Sequence, residues 1–165
     1  MPNRTLVRVL PGLVLLVSLL APSARGELAA WDQAKVTRLA KDLATATDAL
    51  YETFMQQPSP ANAESTQSVS YHLLEHRVWM LRTEARLLVT SLEEGDAREQ
   101  TELTYEMLMS HARSARYEAQ SGFVSKDVGE RAGAVRRALN QLGPYYDPDF
   151  QTLAPQPNIE PGASR

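Results

Sequence analysis

Two of the chain's three histidines stand four residues apart, in the string His72-Leu73-Leu74-Glu75-His76. On a helix that spacing puts both imidazoles one turn apart on the same face, where they can share a metal ion. The steps of four and three continue through Trp79, Thr83 and Arg86, so these side chains share the side of the helix that carries the histidines. Tryptophan and arginine are enriched where proteins bind one another, which makes Trp79 and Arg86 the candidate partner contact. The competing expectations are two solvated histidines and a Trp79 packed beneath the 57–66 loop or the C-terminal tail, since large aromatics are usually mostly buried. The third histidine, His111, lies near Met107 and Met109. In a hairpin turning at 95–96, residue 111 is level with about residue 80. A His and a Met facing across a bundle is the axial pair of some haem bundles, so His111 and Met80 form a haem candidate. Methionine is also a common core filler that needs no cofactor.

The string His72 to His76 also resembles the inverted zinc-peptidase signature, H-x-x-E-H. The resemblance implies His72 and His76 as zinc ligands and Glu75 as catalytic base. It covers five of 165 residues. The chain is short for a peptidase domain, no strand pattern is present to hold a substrate, and both histidines fall outside the helix's main apolar stripe. The expectation is therefore no peptidase and no enzyme. Phosphate-loop, dinucleotide-binding and nucleophile-elbow motifs are all missing from the sequence. There is no cysteine, which excludes disulfides, thiolate metal sites and covalently attached haem. Zinc at His72/His76, or haem at His111, is the alternative to a protein with no cofactor.

The elements that carry these residues read as helices throughout. From about Leu28 to Met55, Val36, Leu39, Leu43, Ala46, Leu50 and Phe54 recur at steps of three and four. Pro58 and Pro60 break that run, because proline removes a donor and blocks helix continuation. From about Gln67 to Glu94 the stripe is Tyr71, Leu74, Val78, Leu81, Ala85, Leu88 and Leu92, widened by Leu73, Met80 and Leu87. Arg77 and Glu84 lean into the wide face and are expected to meet opposite charges on neighbouring helices. Gly95 should end this helix, and Asp96, with Glu99 three residues on, should cap the next one.

That third segment, about 97–121, carries Thr101, Tyr105, Leu108, Ala112, Ala115 and Ala119, followed by Gly122. The small residues of its second half would allow close helix approach. The fourth, about 126–142, carries Val128, Ala132, Val135, Leu139 and Leu142, with Gly143-Pro144 as the expected stop. Residues 151–165 read as a disordered proline-rich tail. The fold expected is all-α: an antiparallel, up-down-up-down four-helix bundle over residues 27–150.

The N-terminus supplies the address. Arg4 and Arg8 precede a roughly thirteen-residue apolar run, 9–21, and the small-residue segment Ala21-Pro22-Ser23-Ala24-Arg25-Gly26. This is the layout of a signal peptide, and the run is short of the roughly twenty residues that span a bilayer. Cleavage is expected after Gly26, with Ala24 as the alternative, leaving no stable membrane anchor. Removing residues 1–26 takes away three of the 17 Lys and Arg and none of the 20 Asp and Glu, so the charge moves from −3 to −6. An acidic surface argues against nucleic acid as a partner. Export without cysteine fits a periplasmic or secreted protein of the bacterial kind. The function expected is an exported, non-enzymatic helical bundle that binds a protein or envelope component, with a periplasmic metal- or haem-binding bundle as the alternative.

Overall fold

The computed structural model describes residues 27–57, 65–121 and 124–153. Four helices fill them: α1 (Gln33–Met55), α2 (Ser65–Glu94), α3 (Arg98–Ser121) and α4 (Lys126–Tyr146). No strand occurs among the described residues. The helices form the expected antiparallel four-helix bundle. α1 packs along both α2 and α4, and α2 along α3, whereas α3 and α4 meet least closely. The core follows the apolar stripes: Val36, Leu43 and Phe54 from α1, Leu74, Val78, Leu81, Ala85, Leu88 and Leu92 from α2, Leu108 from α3, and Val135, Leu139 and Leu142 from α4 are buried. Thr47 is also fully buried on α1, and its hydroxyl is satisfied by donating to the Ala44 carbonyl. Residues 1–26, expected to form a signal peptide, the proline break at Pro58 and Pro60, Gly122 and residues 154–165 lie outside the described residues.

α2 begins at Ser65, two residues before the expected Gln67, and three further boundaries differ from the sequence expectation. α1 begins at Gln33, not near Leu28, because Asp32 caps it by accepting from the Lys35 amide at 3.0 Å. Residues 27–32 cross the end of the bundle instead. There the Ala29 amide donates to the Pro144 carbonyl (2.8 Å), the Ala29 carbonyl accepts from Arg98, and Trp31 meets Tyr145 and Tyr146 edge-on. Gln33 then donates to the carbonyls of Leu92 and Asp96, tying the start of α1 to the turn between α2 and α3.

That turn is built on Gly95, whose φ of 96° is the left-handed conformation that favours glycine. The Gly95 amide donates to the Leu92 carbonyl and the Asp96 amide to the Ser91 carbonyl, a Schellman closure. Asp96 is thereby used to finish α2, so α3 starts one residue later than expected. One half of a capping box is made, by Gln100, whose side chain accepts from the Ala97 amide at 2.7 Å, in place of the box expected from Asp96 and Glu99.

α4 does not stop at Leu142 but runs through Gly143 and Pro144 to Tyr146. The extra turn buries Tyr145 and Tyr146. Tyr146 stacks on Tyr105 with centroids 4.3 Å apart and shares a 3.0 Å hydrogen bond with Thr101. Packing of two aromatics outweighs the local stop signal. The chain then folds back on α4. Phe150 occupies the place a Cβ on Gly143 would need, and Asn140 bonds both the amide and the carbonyl of Leu153.

Candidate partner-binding face on α2

The outer face of α2 carries His72, His76, Trp79, Thr83 and Arg86 in the order their spacing implies. Trp79 is 46% exposed, so it is not packed away beneath a loop or the tail. Its ring stacks on His76 with centroids 6.0 Å apart, and its carbonyl accepts from the Thr83 hydroxyl. Two shallow hollows, open to solvent, lie on either side of it. One, about 320 Å³, is lined by Trp79, Arg82, Thr83, Arg86, Leu87 and Thr90. The other, about 380 Å³, is lined by Tyr51, His72, Glu75, His76 and Trp79.

The arginine side of this face is held from α1. Asp48 accepts from Arg82 Nε at 2.7 Å and from Arg86 Nε and Nη2 at 3.1 and 3.0 Å. Burial pushes the Asp48 carboxyl up, but the hydrogen bonds and positive charges of Arg86 and Arg82 outweigh it and hold the carboxyl below its ordinary value. Arg82 in turn lies over the Tyr51 ring, 4.6 Å from its centroid. The side chain of Arg86 remains 55% exposed. One face of its guanidinium is therefore spoken for and the rest is open to a partner. Asp48 and Tyr51 were not legible as parts of this face, because their role depends on how α1 is rotated against α2.

The two metal candidates take separate partners. His72 Nδ1 lies 3.2 Å from Glu75 Oε2, while His76 lies against Trp79. No group of three or more His, Asp or Glu placed to hold a metal ion occurs among the described residues. His111 sits at the seam between α2 and α3, with Nδ1 buried and lacking a hydrogen-bond partner. Burial pushes its pKa down, and Arg77 and His76 push the same way against Glu84. Glu84 is buried, and its charge opposes the lowering of the His111 pKa across the seam. Arg77 keeps a buried Nε with no hydrogen-bond partner.

Leu73 and Leu87, expected to widen the core stripe, are instead 40% and 52% exposed, because the helix turns them well away from the buried line of Leu74, Leu81 and Leu88. The fold and the site together define a small all-α bundle whose second helix displays an exposed tryptophan beside a clamped arginine pair. No family model, curated protein or solved structure matches the chain.

Proposed function

We propose that this is an exported, non-enzymatic bundle, working in the periplasm or outside the cell, that binds a protein or envelope component through the outer face of α2. The observation that carries the reading is Trp79: a large aromatic left half-exposed between two hollows, beside an Arg86 already oriented by Asp48. Trp and Arg are among the residues that most often dominate binding energy. Fixing Arg86 in advance lowers the ordering cost of a complex. The basic start, short apolar core and small-residue site of residues 1–26 support export.

The test is capture from envelope extract on immobilised mature protein, comparing the wild type with Trp79→Ala and Arg86→Ala. A partner enriched by the wild type and lost from both variants, with their helical circular dichroism unchanged, supports the reading. The same set of proteins on all three columns contradicts it.

A further inference from the structure

Val69, Leu73, Met80 and Leu87 run along one flank of α2, the last three at steps of seven. Val69, Leu73 and Leu87 are 57%, 40% and 52% exposed, and Met80 is half-buried. On α3, Leu103, Met107 and His111 follow at steps of four and so share one line. His111 is the member of that line that meets α2, where Arg77, His76 and Glu84 act on it. Leu103 and Met107, 66% and 38% exposed, therefore border the same α2–α3 seam on its solvent side. In a hairpin that turns on Gly95 they stand level with residues 84–88 of α2, beside Leu87.

These six apolar side chains make a patch that is broad at one end and narrow at the other. Near the turn, Leu87, Leu103 and Met107 form the broad end. At the far end only Val69 and Leu73 remain, because the α3 line goes on to Ser114 and Glu118. Side chains of this size at these exposures leave roughly 500 Å² uncovered, at the upper end of what a monomer shows in one patch.

We infer that this face of the α2–α3 hairpin is where a second copy of the chain docks, across a two-fold axis beside Met80. A two-fold contact requires a surface that fits itself. Leu73 and Leu87 are the same residue at the same distance on either side of Met80, seven positions each way. An axis there, with the two α2 helices antiparallel, sets Leu73 of each copy against Leu87 of the other and Met80 against its equivalent. The same operation lays the narrow ridge of Val69 and Leu73 into the broad end formed by Leu87, Leu103 and Met107, twice over. Methionine suits the axis, since its unbranched side chain adapts to a copy of itself. Two such patches, with the polar residues around them, reach the range of about 1,200–2,000 Å² that specific interfaces bury. Trp79 lies about 100° round the helix from Met80, so the contact leaves it uncovered and the inference is independent of the Trp79 face.

Sedimentation equilibrium of the protein recovered from its native host should give twice the chain mass. Leu87→Glu and Met80→Glu should each weaken the dimer at least ~30-fold, the loss expected of a central contact, with helical circular dichroism unchanged. The natural chain has no cysteine, so Leu73→Cys with Leu87→Cys in one chain supplies its only thiols. The two positions are about 21 Å apart along one helix, beyond the roughly 7 Å that a disulfide spans, so they close only between copies. On oxidation the pair should give covalent dimers well ahead of Leu73→Cys alone. A wild-type monomer at ~100 μM, where any dimer of micromolar affinity is populated, would overturn the inference. So would a dimer indifferent to both Glu variants, or one that Leu73→Cys alone links as fast as the pair.

Discussion

At the scale of single residues, Asp48 is the hinge of the α2 face, since one carboxylate organises two guanidinium groups and, through Arg82, the Tyr51 ring. Its carboxyl is held below its ordinary 3.8 in the folded chain. The stabilisation it provides is therefore complete above that ordinary value and is lost as pH falls through the lowered folded value. Because the three side chains are partly exposed, the effect is small, about 1 kcal/mol or less. Asp48→Asn should lower the urea midpoint slightly at pH 7, and the difference from the wild type should vanish in acid. A gap that persists unchanged at the lowest pH would show that the ion pairs are not its source.

His111 works at higher pH. With its folded pKa depressed below 6.5, it favours the folded state fully above that value. The advantage is lost as pH falls, because the unfolded chain takes up the proton first. His111→Gln should flatten the fall of Tm between about pH 7 and 5, the range in which histidine titrates, and an unaltered slope would assign the loss to other groups.

At the scale of elements, the instructive case is the end of α4. The Gly143-Pro144 pair is a sound local stop signal, and the helix nevertheless passes through it. What the local signal omits is tertiary: Tyr145 and Tyr146 are buried against Trp31 and Tyr105, and the Pro144 carbonyl accepts from the Ala29 amide. Gly143 serves as the socket for Phe150. Gly143→Ala should destabilise the fold by roughly 1–3 kcal/mol through overpacking. Phe150→Ala in the same chain should recover much of that, so the pair is strongly non-additive in denaturant titration. Simple additivity would mean that the ring has moved elsewhere.

The same distinction governs what was legible in advance. Helix count, hairpin order and the buried members of the α2 stripe follow from periodicity, because burial and spacing are a one-helix property. The outer line of His72, His76, Trp79 and Arg86 is legible for the same reason. Asp48 on Arg86, Gln100 in place of Glu99 as the capping residue, and the exposure of Leu73 and Leu87 were not, since each depends on the rotation or end point of a second element.

At the scale of the whole molecule, the bundle has two sides of different character. α3 and α4 pack least closely, and the chain folds back on α4 after its end; the α2 side presents Trp79 and Arg86 to solvent. Export would place both outside the cytoplasm. Intact-mass measurement of the protein recovered from its native host should give a chain beginning at Glu27, and a mass that includes residues 1–26 would contradict export by cleavage. The central claim is that the α2 face meets a partner. It is tested most directly by a photoreactive phenylalanine at position 83, in the middle of that face, and in a second chain at Arg38, an exposed position on α1. On irradiation in the native cells, position 83 should yield a discrete higher-mass adduct that position 38 does not. No adduct at 83, or the same adducts from both positions, would contradict the account.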